Sequence, residues 1–483
     1  MIKNETTKKQ VISGIFWRFM EQGGVSFMSF VMSIILARLL DPEAYGIVGL
    51  ITVFITVSQV FINGGFSTAL IQRKEVKSVD YSSVFYLSFL VSVTCYGIIF
   101  AAAPYIAAFY SEPLLAPVLK VQAISLFFAA YTSVATAKFQ KELRFKALFK
   151  RTLLTIVFAS AIGIYMAYVG YGVWALVGYN LSQAVLNAVV LLITERWYPK
   201  FEFSISRVGK LFSFGYKMLL SGVIDTVYNN MYSLVIGKIY TKSDLGYYNK
   251  GKNFPNMIIH NLNTSIQSVL LPVMSKAQDD KEQLKVMVRR SITVSCFIIF
   301  PAMAGLAGVS TPFIRLLFTD KWLPCVPFLC FCCFTYALWP LHTANLQVIN
   351  AMGRSDIFLK LEIIKKTINI VGLIVSIPYG IYAMMWVRSF TSTLGIFING
   401  YPNKKLLNYS PLEQIKDILP YAILSLVMCG VVLSVNLLNL GNIVTLIIQV
   451  FVGVLVYVTG AKIFKLEAFE YALNIVKGFI KKK

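Results

Sequence analysis

The chain has 483 residues, of which 57% are hydrophobic and 14% are charged, and its formal net charge is +23. This balance excludes a soluble globular protein, because a domain of this size cannot bury so many apolar side chains. The composition predicts an all-α polytopic membrane protein. The excess of basic residues does not indicate a nucleic-acid partner, because it follows the loops between apolar segments.

Fourteen apolar segments are long enough, at about 1.5 Å per residue, to cross a hydrocarbon core about 30 Å thick. In chain order they are predicted at residues 11–36, 45–71, 81–109, 118–137, 148–169, 172–193, 211–240, 253–274, 291–310, 323–349, 361–378, 380–400, 419–437 and 441–461. The first segment resembles a signal sequence, but it is too long and carries Arg18 and Glu21. It is therefore interpreted as the first membrane helix.

Two halves of the chain resemble one another, which predicts a duplicated six-helix unit. The matching stretches are ARLLDPEAYG (37–46) with GKIYTKSDLG (237–246) at an offset of 200, and AFYSE (108–112) with LLFTD (316–320) and YGVWA (171–175) with YGIYA (379–383) at 208. Because six is even, both halves enter the membrane from the same side. The repeats are therefore predicted to be parallel, with a central cavity between two lobes.

The predicted regions are an N-lobe at 1–194, an interfacial linker at 195–210, a C-lobe at 211–400, helices thirteen and fourteen at 401–464 and a basic tail at 465–483. The tail is expected to form an amphipathic helix at the membrane surface, with these residues on its apolar side: Phe464, Phe469, Leu473, Val476 and Ile480.

The distribution of basic residues predicts the topology. With the N-terminus placed in the cytoplasm, 34 of the 45 lysines and arginines fall on the cytoplasmic side, 8 fall outside and 3 lie within helices. This asymmetry follows the positive-inside rule. The N-terminus, the linker and the C-terminus are therefore all predicted to be cytoplasmic.

Polar side chains follow one face of the first and seventh predicted helices, at identical increments of 0, 4, 8, 11 and 15 residues. The two stripes are Arg18, Gln22, Ser26, Ser29 and Ser33, and Lys217, Ser221, Asp225, Tyr228 and Tyr232. Further polar groups are Gln59, Asn63 and Ser67 on the second helix, Asn253, Asn256, His260, Asn263 and Gln267 on the eighth, and Arg388 on the twelfth. Because such groups are expensive in lipid, we expect them to line a central aqueous cavity.

Each of these groups also has a structural interpretation. Arg18 and Lys217 lie close enough to a membrane boundary to snorkel to the headgroups. Glu21 and Asp225 have short side chains that cannot, which makes them candidates for coupling to an ion. Glu21 lies one turn from Arg18 and is expected to neutralise it in part. His342 is interpreted as a packed, hydrogen-bonded residue.

Other chemical motifs point to nothing further. The seven cysteines lie in or beside apolar segments, and the cluster CVPFLCFCC (325–333) lacks a CxxC pair, so packing is the favoured interpretation. GYYNKGKN (246–253) nearly matches a P-loop but ends in Asn and lies between two membrane helices. No metal and no cofactor are predicted.

The run WRFMEQGGVSFMSFVMSIILARLLDPEAYGIVGL, followed by NGGFSTALIQR, resembles the first two helices of Wzx-type polysaccharide flippases, in the polysaccharide transporter branch of the MOP superfamily. The resemblance extends over about residues 10–400. It implies a bacterial inner-membrane protein that moves undecaprenyl-pyrophosphate-linked oligosaccharides to the periplasmic leaflet by alternating access, for surface polysaccharide assembly. The product would be O-antigen, capsule or exopolysaccharide.

The resemblance also gives the polar residues roles. Arg18, Lys217 and Arg388 would meet the pyrophosphate, and the hydroxyl and amide groups would meet the sugars. The lipid tail would stay among membrane lipids, beside helices thirteen and fourteen. Coupling residues vary among relatives, so the coupling of a proton or sodium ion at Glu21 or Asp225 is predicted from their short acidic side chains and not from the resemblance. A polysaccharide polymerase and a chain-length regulator are the implied protein partners.

Two other classes stay open. An ion-coupled small-molecule or multidrug antiporter of the same superfamily would favour an acidic cavity for cationic drugs. A membrane polymerase or ligase would be expected to carry a sizeable outer loop with acid, base or arginine groups, whereas the outer loops are short. With two histidines, no HExxH and no Gly-x-Ser-x-Gly, the sequence does not predict an enzyme.

Overall fold

The structure is a computed structural model that describes residues 23–73, 76–142, 145–195, 197–438 and 440–471. All regular secondary structure in those ranges is helical. The helices of the first half are α1 Gly23–Leu39, α2 Pro42–Asn63, α3 Phe66–Gln72, α4 Ser78–Phe109, α5 Leu115–Ala123, α6 Ser125–Lys141, α7 Phe145–Tyr168, α8 Val173–Glu195, α9 Ile205–Ile239 and α10 Lys242–Lys276.

The second half continues with α11 Lys281–Gly308, α12 Ser310–Phe318, α13 Val326–Ala337, α14 Trp339–Ala351, α15 Ser355–Ser376, α16 Ile381–Leu407, α17 Pro411–Ser434 and α18 Asn442–Ile463. Short 3-10 helices occupy Asp320–Cys325, Ile377–Tyr379 and Val435–Leu438. The chain divides into two compact units, and the boundary falls inside α10, between Asn249 and Lys250. We call them the N-unit and the C-unit. The lobe limits at 194 and 211 stay a prediction.

Every predicted apolar segment coincides, at least in part, with described helices. Ten spans of the described chain are long and apolar enough to cross a membrane: Pro42–Asn63, Ser78–Phe109, Leu115–Lys141, Leu148–Tyr168, Val173–Glu195, Lys281–Gly308, Asp320–Ala351, Ile381–Leu407, Pro411–Leu438 and Asn442–Ile463. The other four segments correspond to α1, whose described part is short, and to the more polar α9, α10 and α15. The count of fourteen therefore stays a prediction.

The second predicted segment, 45–71, is broken in the structure. α2 ends at Asn63, and Gly64 (φ 48°) and Gly65 (φ 71°) turn the chain before α3 begins. Both residues adopt left-handed conformations that favour glycine. A side chain at Gly65 would also approach the carbonyl oxygen of Gly215 within 2.8 Å, so this break lets the backbone of α9 come close.

The internal repeat appears in the backbone conformation. Ser111 (φ 52°) and Thr319 (φ 78°) both have left-handed φ angles, which are uncommon for residues other than glycine, and they are separated by the predicted offset of 208. Gly172 (φ 55°) and Gly380 (φ 99°) are separated by the same offset. Equivalent turns of the two halves thus share an unusual geometry, as expected of a duplication.

The starts of α2 and α10 contact each other reciprocally within the N-unit. A Cβ atom at Gly46 would overlap the carbonyl oxygen of Lys242, and a Cβ atom at Gly246 would overlap that of Pro42. Gly46 and Gly246 are separated by the repeat offset of 200, and so are Pro42 and Lys242. Reciprocal contacts between equivalent residues are the local signature of a two-fold axis.

The predicted linker is mostly a strap bound to α4. We use this name for residues 197–207, because α9 begins at Ile205 and the extended part before it is tied down. The backbone N–H groups of Lys200 and Ser204 donate to the hydroxyls of Ser82 and Ser83, each at 3.0 Å. The Trp197 ring stacks on Tyr131 with centroids 5.7 Å apart. The connection is therefore an ordered part of the N-unit.

Asp80 fastens the far end of the strap. Both oxygens of its buried carboxylate accept a hydrogen bond from Arg207, at 3.0 and 3.1 Å. The carboxylate also accepts one hydrogen bond from Arg73 at 3.1 Å and one from the backbone N–H of Lys77 at 2.8 Å. A buried carboxylate needs such partners, because its charge is otherwise costly.

Helices α17 and α18, the predicted helices thirteen and fourteen, are part of the C-unit core. Buried apolar residues of both helices share one cluster with α11, α14 and α16. Three fully buried amides join α14, α16 and α17. Asn345 of α14 donates to Gln414 of α17 at 2.7 Å, and the Asn345 oxygen accepts from Gln414 at 2.9 Å and from Asn403 of α16 at 2.5 Å. We call these three residues the amide network.

The described part of the tail differs from the expected amphipathic helix. Phe464 is exposed, Lys465 has a left-handed φ of 49°, and Phe469 packs against Phe297 of α11. The turn at Lys465 places the two phenylalanines on different sides, so that part of the prediction was wrong. Residues beyond 471 lie outside the described chain.

Candidate functional site

Three predicted site residues, Arg18, Glu21 and Gln22, lie outside the described residues. The next members of their stripe, Ser26, Ser29 and Ser33, are half-buried on α1.

The equivalent stripe on α9 follows one continuous helix, as predicted. Ser221 and Asp225 are exposed, Tyr228 is half-buried and Tyr232 is buried. Lys217 is a residue of α9, but its side chain is not among those described. The stripe thus runs from an accessible end into the packed interior of the N-unit.

Asn63 and Asn263 are repeat equivalents that occupy different environments. Asn63 is exposed at the last residue of α2, just before the Gly64–Gly65 break. Asn263 is buried in the middle of the unbroken α10, and its side-chain oxygen accepts a hydrogen bond from Thr343 at 2.7 Å. The duplication therefore preserves the residue but not its role in packing.

The two histidines also differ. His260 is exposed on α10. His342 is half-buried on α14, and its Nδ1 is 3.0 Å from the Asn399 amide nitrogen. This agrees with the interpretation of His342 as a packed, hydrogen-bonded residue.

Arg388 is half-buried on α16, and its charge acts on Lys252 of α10. The topology assigned Lys252 to an outer loop, but α10 begins ten residues before it. The C-unit thus brings together two cations that sequence reasoning treated separately. Neighbouring like charges repel one another, and an anion relieves that repulsion.

The N-unit contains a cavity that sequence reasoning did not assemble. We call it the N-unit pocket; its volume is about 370 Å³. It is lined by Thr52, Ile55, Thr56 and Gln59 of α2, Gln122 of α5, Ser125, Phe128, Ala129 and Thr132 of α6, Thr152 and Thr155 of α7, and Asn180, Gln183, Ala184 and Asn187 of α8. α5 and α6 together form one span, and this span and those of α2, α7 and α8 are all apolar enough to cross a membrane.

None of the described residues that line the pocket is charged. The polar ones are hydroxyls and carboxamides, and several lie far from either helix end. Asn180 and Asn187, for example, are at least seven residues inside α8. Thr52 is exposed, so the pocket is accessible on that side.

A signal for this pocket was present in the sequence. Asn180, Gln183 and Asn187 have increments of 0, 3 and 7 residues, which place them on one helical face, and Thr52, Thr56 and Gln59 have a similar spacing. Gln59 alone was noted as a candidate.

The region of the chain that matches a known protein family contains the helices that line the N-unit pocket. The family model described as "Polysaccharide biosynthesis protein" matches residues 35–327, which include every residue lining the N-unit pocket. The chain belongs to this polysaccharide biosynthesis family. The resemblance to polysaccharide transporters is thereby confirmed.

Curated relatives of the chain are distant but extensive matches. The chain is 26% identical to the lipopolysaccharide biosynthesis protein WzxC of Escherichia coli K12 over 76% of this chain and 75% of that protein. It is 25% identical to the teichuronic acid biosynthesis protein TuaB of Bacillus subtilis 168 over 93% of this chain and 94% of that protein.

Solved structures confirm the fold of this family member as all-helical and polytopic. The lipid II flippase MurJ, in an inward closed conformation, matches with a TM-score of 0.73 at 18% identity, over 94% of this chain and 98% of that one. An inward-facing multidrug resistance MATE family transporter of the MOP superfamily matches with a TM-score of 0.60 at 14% identity, over 81% and 99%.

Proposed function

We propose that the chain is a flippase that translocates undecaprenyl-pyrophosphate-linked oligosaccharide units across the bacterial inner membrane by alternating access. The observation that carries this proposal is membership of a polysaccharide biosynthesis family by a chain whose matched region contains six complete apolar spans long enough to cross a membrane. A carrier of this kind must shelter a hydrophilic head group within an apolar layer. The product would serve O-antigen, capsule or exopolysaccharide assembly.

The pyrophosphate needs cations, and Arg18, Lys217 and Arg388 are proposed to provide them. The proximity of Lys252 to Arg388 supports a cationic contact in the C-unit. Ser221 and Tyr228 offer hydroxyls on the same face of α9. The remaining proposed contacts are Glu21, Gln22, Ser26, Asn63, Asp225, His260 and Asn263, with Glu21 and Asp225 as the candidates for coupling to a proton or sodium ion.

The N- and C-termini are proposed to be cytoplasmic, on the charge distribution. In a cysteine-free background, a membrane-impermeant thiol reagent added outside should label a cysteine at position 112 and not one at position 144. The reverse labelling pattern would contradict this topology. A polysaccharide polymerase and a chain-length regulator are proposed as partners, and no catalytic step is assigned to the chain.

The proposed function is tested by deleting the gene in its host and restoring it on a plasmid. Deletion should abolish surface polysaccharide and leave lipid-linked oligosaccharide in the cytoplasmic leaflet, where an added impermeant glycosidase cannot reach it in spheroplasts. Restoration should reverse both effects. Unchanged leaflet distribution in the deletion strain would refute the proposal.

A second candidate is an ion-coupled small-molecule or multidrug antiporter, which the fold similarity to the MATE transporter favours. The uncharged lining of the N-unit pocket speaks against cationic drugs as ligands, because a buried cation needs a counter-charge. Expression in a drug-sensitive host discriminates the two. An antiporter should raise resistance to cationic dyes, whereas a flippase for lipid-linked oligosaccharide should not.

A further inference from the structure

The threonine hydroxyls that line the N-unit pocket have already donated their protons within the protein. Four threonine hydroxyls donate to carbonyls of their own helices at 2.7 to 2.9 Å: Thr52 to Val48, Thr56 to Thr52, Thr152 to Leu148 and Thr155 to Thr152. A hydroxyl that has used its only proton can still accept hydrogen bonds. These threonines therefore offer acceptors to a ligand.

Other polar atoms of the lining lack a hydrogen-bond partner among the described residues. They are Gln122 Oε1, Ser125 Oγ and Asn187 Oδ1. Gln122 is 7% exposed and Ser125 is 5% exposed, so both side chains are more than nine-tenths buried. Buried polar groups in proteins are nearly always paired. Each of these screened atoms would gain a hydrogen bond if its side chain turned toward a hydrogen-bonding molecule in the cavity.

The lining discriminates between classes of ligand. An anion such as pyrophosphate would find no cationic side chain among the described lining residues, and a metal cation would find no carboxylate. Either would carry an uncompensated charge into an apolar interior. A neutral hydroxyl both donates and accepts, as carboxamides do, so a polyol can pair with Gln122, Gln183 and Asn187.

Size and shape agree with a sugar ring. The volume of about 370 Å³ lies near the lower end of the range of about 300–1,000 Å³ for small-molecule pockets, so it suits one sugar residue better than a whole oligosaccharide. The ring of Phe128 adds a flat apolar surface among the polar groups. A pyranose has the same combination, with hydroxyls at its rim and C–H groups on its faces.

We infer that the N-unit pocket binds one uncharged sugar residue of the translocated oligosaccharide through its hydroxyls, separately from the cations proposed for the pyrophosphate. This inference rests on the proposed function and assigns it a site for the glycan. It predicts that the glycan contacts α2, α6 and α8 inside the N-unit.

A photo-crosslinker tests the contact directly in the host that makes the natural lipid-linked oligosaccharide. p-Benzoyl-L-phenylalanine replaces Phe128, cells are irradiated, and the purified full-length chain is digested for mass spectrometry. The expected adduct at position 128 carries sugar mass increments. The same crosslinker at Leu154 of α7, which is 53% exposed, is the control and should give no sugar adduct. An adduct of the crosslinker at position 128 that carries no sugar mass would overturn the inference.

Two substitutions test the consequence for transport. Ala184→Phe fills the pocket and Asn187→Ala removes one carboxamide, and each should lower surface polysaccharide about tenfold or more at matched membrane levels. Val189→Phe adds the same kind of bulk to α8 at a residue that is 41% exposed and should leave output unchanged. If Ala184→Phe fails to accumulate, Asn187→Ala and the crosslink still decide.

The outcomes separate this inference from the proposed function. Wild-type output from Asn187→Ala, in a deletion strain that the wild-type gene restores, would refute the sugar site and leave the flippase function intact. Failure of the wild-type gene to restore polysaccharide would instead refute the function.

Discussion

The N-unit pocket and the amide network of the C-unit use the same carboxamide chemistry inside membrane-length helices, but they satisfy it differently. In the C-unit, the Asn345 amide donates to Gln414 and to its own helix and accepts from Gln414 and Asn403, and only the Asn403 oxygen of this network lacks a partner among the described residues. In the N-unit, the oxygens of Gln122 and Asn187 have no partner among the described residues. One set holds helices together, and the other surrounds a cavity.

This difference shows that the residue type alone does not determine the role of a polar residue deep in a helix. A carboxamide whose hydrogen bonds are made by neighbouring helices contributes to stability, because separating them would leave buried groups unpaired. A carboxamide that faces a cavity without protein partners is available to a ligand. The two regions should therefore respond oppositely to mutation, in stability and in transport.

The largest effect is expected from Asn345→Leu. The substitution leaves the buried amides of Gln414 and Asn403 without their partner, at about 1–3 kcal/mol for each orphaned group. The purified protein should lose its monodisperse gel-filtration peak at a clearly lower temperature than the wild type. Asn180→Leu in the N-unit pocket is the matched control and should change the melting temperature little.

Equal losses of stability from the two leucine variants would contradict the comparison. A double variant, Asn345→Leu with Gln414→Leu, tests the comparison further. Because Gln414 then no longer leaves buried amide groups unpaired, the double variant should be more stable than the sum of the single effects predicts, by about 0.5–3 kcal/mol.

A moderate effect is expected from Gln183→Glu, which places a charge in the N-unit pocket with little change in shape. The carboxylate loses the amide donors and is costly to bury, so polysaccharide output should fall about tenfold. Thermal stability should fall less than in Asn345→Leu. Full output that becomes dependent on sodium would instead indicate that the pocket holds a cation.

The smallest effect is expected from Thr152→Val. The hydroxyl already donates to Leu148 at 2.9 Å, so the ligand loses only one acceptor, worth about 0.5–1.5 kcal/mol, or roughly two- to tenfold in output. Thr94→Val is the control, because Thr94 makes the same kind of bond to Leu90 on an exposed face of α4. A defect of the same size in both variants would show that helix geometry, not the pocket, is responsible.

Most of the helices and their order along the chain could be predicted from the sequence, because apolar runs of membrane length indicate helices that cross a lipid bilayer. The break after Asn63 was missed since the run stays apolar on both sides, although adjacent glycines are a known turn signal. The environment of Asn263 could not be predicted. Its partner Thr343 is eighty residues away, and only the packing of α10 against α14 decides that the two meet.

The same limit explains the candidate site. The stripe of Ser221, Asp225 and Tyr228 is visible because helical periodicity is local. The N-unit pocket joins five helices from different parts of the chain, and no spacing rule indicates which of their polar faces converge. Sequence can nominate a polar face, but whether it is paired depends on contacts between distant residues.

The strap has a consequence for the mechanical compliance of the N-unit. A free chain of about nine residues would let its ends wander by roughly 5–6 Å times the square root of its length, and would absorb any movement of the helix that follows. Hydrogen bonds to Ser82 and Ser83 and the ion pair of Arg207 with Asp80 remove this conformational freedom. The start of α9 is therefore carried rigidly by α4. A change in the tilt of α9 must bend the helix itself or be taken up at its other end, where Tyr240 is extended and α10 begins two residues later.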